Sequence, residues 1–306
     1  MAERLRGVKG TVPVHLAQPM DVADRDSCER RKLPRMKRVV ADGVELAVLD
    51  EGEGPTVLLL HGFPDSSALW RRQVPALVGA GYRAIAPDLR GFGESERPEA
   101  VQEYAITRSV ADMVAVLDLL GVERAHVVGH DFGAAVAWVL AMLHPERVDR
   151  LVVLSVGHPS AVRRRTIEQR EKAWYQLLFL FAGTAEELLA RDDWAFLRAW
   201  LRDEGDVERY VADLARPGAL TAALNWYRAN VHPARELEPR RPVPPVAAPT
   251  LGVWSSGDAY LNEAPMLRSA EHVTGPWRYE RVEDASHWMQ LDQPERVNAL
   301  LVDFLA

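Results

Sequence analysis

The stretch Ala125-His126-Val127-Val128-Gly129-His130-Asp131-Phe132-Gly133-Ala134-Ala135-Val136-Ala137-Trp138 decides the fold. Residues 125–128 form a brief apolar run rich in β-branched side chains, the mark of a buried strand. From Phe132 to Met142 the chain is apolar nearly all round, as a helix packed on a sheet is. Gly129 and Gly133 stand two residues either side of Asp131, so the backbone can turn sharply and hold the middle side chain clear of the sheet at a helix N-terminus. An Asp that merely caps a helix would look the same in isolation. The rest of the chain separates the two readings.

Upstream, residues 38–41 and 44–49 predict a hairpin about Asp42-Gly43. Residues 56–60 predict a buried strand ending at His61-Gly62-Phe63-Pro64. Helical spacing over 69–80 stops at Gly81, a strand follows at 82–86, and an amphipathic helix over 106–120 stops at Gly121. In the loop between them, Asp88 and Arg90 are expected to brace the turn. Downstream, an apolar strand is expected at 151–155. From about His158 to Pro245 no strand pattern appears, while Trp, Tyr, Leu and Ala recur at helical spacings in segments such as 168–181 and 192–201. Arg240-Arg241-Pro242-Val243-Pro244-Pro245 reads as a stiff extended linker. The sheet resumes at 250–254 and 277–282, and a final helix starts at Pro294.

Strands alternating with helices imply an α/β fold, with a mainly parallel eight-stranded sheet behind an antiparallel start and helices on both faces. The expected organisation is a core of residues 35–157 and 246–306 with a helical cap of residues 158–245 inserted. Residues 1–34 are mixed, charged and without period, and read as a poorly ordered or loosely docked arm.

The 306 residues are 48% hydrophobic, ample for one packed core with an insertion. A formal net charge of −7 and a pI near 5.8 argue against nucleic-acid or anionic membrane partners. The single Cys28 excludes an internal disulfide and fits a reducing cytoplasm. No apolar run is long enough to span a bilayer, and the N-terminus lacks a signal-peptide core. Gly91-Phe92-Gly93 lacks the further glycine and the helix of a dinucleotide fingerprint, and no His/Cys/carboxylate spacing suits a metal, so neither cofactor nor metal is expected. The sequence leaves monomer and homodimer open.

In an open α/β sheet, ligands gather beyond the carboxyl ends of the strands. Those ends here carry His61-Gly62-Phe63-Pro64, Asp131, Asp258 and His287. Each has a structural reading alone: Asp258 in Ser255-Ser256-Gly257-Asp258 as a turn residue, His287 in Ser286-His287-Trp288 as a loop histidine. The strand before the cap ends in Ser155-Val156-Gly157-His158 without a carboxylate, which leaves Asp258 as the well-placed partner for His287. The order Asp131, Asp258, His287 matches the nucleophile–acid–histidine order of α/β-hydrolases, with aspartate where esterases carry serine.

From about Arg38 onward the sequence resembles a soluble epoxide hydrolase of the α/β-hydrolase superfamily. The resembling segments are His61-Gly62-Phe63-Pro64 with Trp70, Gly129-His130-Asp131-Phe132-Gly133, Ser286-His287-Trp288-Met289-Gln290 with Pro294, and in the cap Trp174-Tyr175-Gln176-Leu177 and Leu224-Asn225-Trp226-Tyr227-Arg228. The resemblance implies that Asp131 is the nucleophile and that Tyr175 and Tyr227 are the family's two cap tyrosines. His287, oriented by Asp258, would activate water, and the pocket would include Pro64, Trp70, His158 and Trp288. Backbone N–H groups of Phe63 and Phe132 would form the oxyanion hole. The chemistry suits these groups. A carboxylate of ordinary pKa about 3.9 is already an anion at neutral pH, and a phenol near 10 can protonate the leaving alkoxide.

Two other readings share the residues. Haloalkane dehalogenases hold halide with side-chain N–H donors, commonly a tryptophan after the nucleophile; Phe132 and Phe63 offer none. Fluoroacetate dehalogenases carry arginines about the elbow, where this chain has Phe132, Ala134 and Ala135. A non-catalytic ligand-binding protein on the same fold would have no need of Asp131, Asp258 and His287 together. An apolar epoxide and water are therefore the expected partners. Phe132 stands where many epoxide hydrolases have tryptophan, a difference that touches pocket shape and leaves the backbone amide in place.

Overall fold

A computed structural model describes residues 36–163, 166–202, 204–234 and 242–306. The expected arm of residues 1–34 and Arg240-Arg241 of the expected linker lie outside the described residues.

Eight strands form one sheet: β1 (Lys37–Ala41), β2 (Val44–Glu51), β3 (Thr56–Leu60), β4 (Arg83–Pro87), β5 (Ala125–His130), β6 (Val148–Leu154), β7 (Thr250–Ser255) and β8 (Trp277–Val282). Their spatial order is β1-β2-β4-β3-β5-β6-β7-β8. The β1–β2 hairpin turns on Asp42-Gly43 and joins β4 antiparallel; every pairing from β4 to β8 is parallel. Parallel strands covered on both faces must be apolar on both, and β3 (TVLLL) is buried at every position.

Before the insertion come α1 (Gln73–Gly79), α2 (Ile106–Leu119) and α3 (Phe132–Leu143). The helix expected over 69–80 is split: Ser67–Arg72 is a 3₁₀ turn and only Gln73–Gly79 is α-helical. Pro75 has no N–H to return to Arg71, so the α-helical ladder begins on its far side. Between β6 and β7 stand α4 (Pro159–Val162), α5 (Ile167–Lys172), α6 (Trp174–Leu178), α7 (Thr184–Leu201), α8 (Val207–Leu214) and α9 (Ala219–Asn230), with no strand among the described residues. The helix expected over 168–181 is broken at Ala173. That expected over 192–201 is the second half of α7, which kinks at Arg191–Trp194. The chain closes with α10 (Glu263–Arg268), α11 (Met289–Asp292) and α12 (Pro294–Leu305), Pro294 standing at the first helical turn as expected.

Helix α3 packs on β3, β5 and β6 and against α2, while α1 packs on α12. Trp138 lies wholly buried under this layer, and its Nε1–H donates to the Val156 carbonyl at 3.0 Å, which pins the exit of β6 to α3. Leu58, Leu59 and Leu60 are fully buried; truncating one of them to Ala would cost about 2–5 kcal/mol.

Candidate active site

Asp131 sits between β5 and α3 with φ +52° and ψ −121°, a region that a side chain with a Cβ rarely occupies. Two glycines make room for it. A Cβ on Gly129 would press into the Gly133 carbonyl and lie 2.7 Å from the Ala134 Cα, and one on Gly62 would lie 2.7 Å from the Phe132 nitrogen. Strand end, turn and the following helix therefore approach more closely than any larger residue permits.

The two oxygens of Asp131 are not equivalent. Oδ1 accepts from the Phe63 backbone N–H at 2.9 Å, and the Phe132 N–H also donates to the carboxylate. Oδ2 lies 3.7 Å from His287 Nε2. Burial pushes the Asp131 carboxyl up from the usual carboxylate range, opposed by His287 and the two amides. His287 follows β8, and its Nδ1 stands 2.8 Å from Asp258 Oδ2, so Nδ1–H donates to the carboxylate and Nε2 faces Asp131. Burial acts to lower the His287 pKa, but Asp258 and Asp131 outweigh it and hold the imidazole above its ordinary value. The other Asp258 oxygen accepts from the Tyr260 and Leu261 N–H groups, each at 2.8 Å.

Above the carboxylate, a cavity of about 240 Å³ is lined by Asp131, Phe132, Tyr175 and Tyr227 among others. The two phenol rings are 6.0 Å apart at 81°, and Tyr227 lies 4.9 Å from the Phe132 ring. Burial drives both hydroxyls upward, with the Asp131 charge adding to it, so both are protonated donors. Neighbouring residues fix each ring. Trp200 packs on Tyr175 at 4.7 Å. On α9, Trp226 Nε1–H donates to the Arg90 carbonyl at 3.0 Å, Asn230 donates to the Tyr104 carbonyl, and Arg228 forks onto Glu186 at 2.8 Å through each nitrogen. Arg90 itself is fully buried and forks onto Asp112 at 2.7 Å through each bond, while Asp88 accepts from the N–H groups of Ser67 and Glu94; both brace the loop as the sequence implies.

The structure brings Asp131, Asp258, His287, Tyr175, Tyr227 and the amides of Phe63 and Phe132 into one place. It does not bring the four expected pocket residues onto the cavity wall. Trp70 is wholly buried in the core. Pro64, joined to Phe63 by a cis peptide, is buried and is not among the residues that line the cavity. His158 stacks on His272 at 4.5 Å with Nε2 against Met142 Sδ, leaving Pro159 to reach the cavity. Trp288 packs on His287 and Tyr210 instead. These four expectations are corrected for one reason: proximity in sequence to a functional loop does not fix which way a side chain leaves the backbone.

Four contributions have no sequence signal of the kind that marks the triad. His130 donates from Nε2 to the His287 carbonyl at 2.9 Å and so braces the loop that carries His287. His61 accepts the Leu89 N–H at Nε2, which places its own proton on Nδ1, toward the Gly62 carbonyl. From α5, Lys172 donates to the Asp258 carbonyl at 2.9 Å and Gln169 to the Tyr260 carbonyl at 3.0 Å. From α8, Arg209 and Tyr210 converge on the buried Asp65 just after the Phe63–Pro64 pair.

Comparison with known proteins agrees with this geometry. Residues 55–294 match the family model described as the alpha/beta hydrolase fold. The chain is 34% identical to Epoxide hydrolase A of Mycobacterium tuberculosis over 319 residues, spanning 89% of this chain and 97% of that protein. It is 32% identical to Epoxide hydrolase 3 of Xenopus tropicalis over 88% of this chain and 76% of the relative. Among solved structures it resembles Epoxide Hydrolase A from Mycobacterium thermoresistibile, with a TM-score of 0.72 at 32% identity over 89% of this chain and 98% of that one. A Bacillus megaterium epoxide hydrolase in complex with an inhibitor gives 0.80 at 27% identity, over 88% and 99%.

Proposed function

This chain belongs to the epoxide hydrolases of the α/β-hydrolase fold, and from that premise we propose that it opens an apolar epoxide to a vicinal diol through an alkyl ester on Asp131. The observation that carries the reading is the asymmetric Asp131 carboxylate, with Oδ1 held by the Phe63 amide at 2.9 Å and Oδ2 facing His287 at 3.7 Å, in a cavity that two phenols also line.

Oδ2 attacks the less hindered oxirane carbon while Tyr175 and Tyr227 hydrogen-bond the ring oxygen and one of them gives it a proton. The C–O bond breaks and Asp131 becomes an ester. His287 Nε2 then takes a proton from water as that water adds to the ester carbonyl. The negative charge develops on Oδ1, already in the grip of Phe63 and Phe132, where one such donor is worth roughly 10²–10³ in rate. Collapse releases the diol as the proton held by His287 passes to the leaving alkoxide, and the second water proton, left on the Asp131 carboxyl, returns to the tyrosine phenolate and restores both groups. Asp258 keeps the imidazole in the required tautomer.

The cavity wall supports a neutral, largely apolar substrate: Ile106, Val156, Pro159, Val162 and Leu261 line it, and no Lys or Arg is among the lining residues. The proposal takes residues 35–157 and 246–306 as core and 158–245 as cap, a division supported by the run of helices from α4 to α9. It places the enzyme in the cytoplasm, supported by the single Cys28 and by the lack, among the described residues, of a helix long and apolar enough to cross a membrane. One chain supplies every group of the site, so a monomer or a homodimer of independent sites suffices.

A single turnover of enzyme in excess over an aryl or alkyl epoxide in heavy-oxygen water tests the mechanism. The diol should emerge without water-derived label and Asp131 should gain it; label in the diol from the first turnover refutes the ester.

A further inference from the structure

Helix α5 begins with a sequence that should close on itself. Thr166 caps it by accepting the Gln169 N–H at 3.2 Å, and Gln169 stands at the third helical position, where a glutamine ordinarily reaches back to the N–H of the cap residue. The Gln169 side chain goes elsewhere. Only 5% exposed, it crosses to the loop after β7, where Nε2–H donates to the Tyr260 carbonyl at 3.0 Å and Oε1 accepts the Asn262 N–H at 2.8 Å. The amide thus supplies one donor and one acceptor to the same turn of chain, and turning it over would break both bonds.

That turn is the one that holds the triad acid. Asp258 Oδ1 accepts the Tyr260 and Leu261 N–H groups at 2.8 Å each, which leaves Oδ2 to meet His287 Nδ1 at 2.8 Å. The Tyr260 carbonyl and the Leu261 N–H belong to one peptide, and because a peptide is planar and trans its two polar groups point in opposite directions. Holding the carbonyl from α5 therefore aims the N–H at Asp258. Lys172, on the same helix, donates to the Asp258 carbonyl at 2.9 Å. The Tyr260 ring packs on His287 at 5.4 Å, so one loop bears on both the acid and the histidine.

We propose that Gln169 is a positioning residue for ester hydrolysis, acting through Asp258: it fixes the loop that presents Oδ2 to the imidazole, and without it the acid turns away from His287 in part of the population. The inference rests on the epoxide hydrolase reading above. Its signature is electrostatic. His287 is faced by Asp258, by Asp131, by Glu204 between α7 and α8, and by His130, whose ring lies 4.6 Å away. Once Asp131 is an ester, Asp258 and Glu204 are the carboxyl groups left to hold the proton on the imidazole. A loosened Asp258 therefore makes His287 a weaker base that sheds its proton at lower pH.

The test measures kcat and KM against pH for an epoxide in the parent enzyme and in Gln169→Met, which keeps the length and bulk of the side chain and removes both bonds. Ring opening needs no base and should persist, while hydrolysis should slow by about tenfold or more, so kcat and KM fall together. The acidic limb of kcat should move to lower pH by roughly 0.5–1 unit, a part of the effect of about 1–3 units that a neighbouring opposite charge has. Gln169→Asn, an amide on a shorter stem, should move the limb in the same direction and replaces the methionine variant if that one does not fold. In an Asp258→Asn background neither substitution should move the limb further, because Gln169 acts through that acid. A limb unmoved in a folded variant that turns over overturns the positioning role, as does a limb that shifts as far in the Asp258→Asn background as in the parent. A parent enzyme that turns over no epoxide overturns the epoxide reading instead.

Discussion

Replacing His287 by Gln separates the two halves of the proposed reaction. The attacking Oδ2 needs no base, and Oδ1 keeps its Phe63 donor whatever occupies position 287. Opening should therefore continue, slowed by loss of the His287 interaction that opposes the burial of Asp131. Hydrolysis loses the imidazole 3.7 Å from Oδ2, and a positioned general base is worth about 10²–10⁴ in rate. At 1.36 kcal/mol per tenfold this adds roughly 2.7–5.4 kcal/mol to the second barrier, and the ester accumulates. Rapid mixing with an epoxide followed by intact-protein mass spectrometry should show one adduct per chain, mapping to the peptide that carries Asp131, with a diol rate reduced by the same factor. Multiple turnovers without an adduct, or an adduct on another residue, would refute the division of labour.

Three further outcomes follow from the same geometry. In heavy-oxygen water, diol from the second turnover should carry label in about half its molecules. The hydrogen bonds from the Phe63 and Phe132 amides to the carboxylate resist rotation by roughly 3–6 kcal/mol, far below the barrier of about 16 kcal/mol for a typical turnover of ten per second, so the carboxylate oxygens exchange places between cycles. Complete labelling would show that they do not. Under hydrolysis-limited conditions kcat should fall along an acidic limb set by His287, whose pKa Asp258 raises, because only the neutral ring can act as base. Asp258→Asn should move that limb to lower pH, and a pH–rate profile displaced the other way would contradict the assignment. Tyr227→Phe should lower the rate of adduct formation in the His287→Gln background by about 10²-fold or more, with Tyr175 as the remaining donor; an unchanged rate would remove Tyr227 from the opening step.

Most of the sheet is readable in the sequence because parallel strands covered on both faces carry short apolar runs, as residues 57–60 of β3, 127–128 of β5 and 251–254 of β7 do. Strand ends are less so: β5 runs on through Gly129 and His130, residue types that punctuate a pattern by composition alone. The triad is legible because strand ends and chain order constrain it together. The α7 kink is not, since Arg191–Trp194 carries no Pro or Gly. Trp70 and His158 are misassigned for the same want of local information: both sit within motif-bearing segments, yet one faces the core and the other faces His272. Lys172, Gln169 and Arg209 look like ordinary polar positions on surface helices, and only the fold reveals that their partners are more than thirty residues distant in sequence.

The helical insertion is fastened to the sheet at the loops that carry the chemistry. Lys172 and Gln169 hold the segment of Asp258 and Tyr260, Arg209 and Tyr210 hold Asp65 beside the Phe63 amide, and Trp226 holds the Arg90 carbonyl. Remodelling the insertion to admit bulkier compounds is therefore not an independent operation. Variants that keep these five side chains together with Tyr175 and Tyr227 can trade pocket shape freely, whereas a grafted insertion without the five would leave the acid and the anion-binding loop of the core out of register.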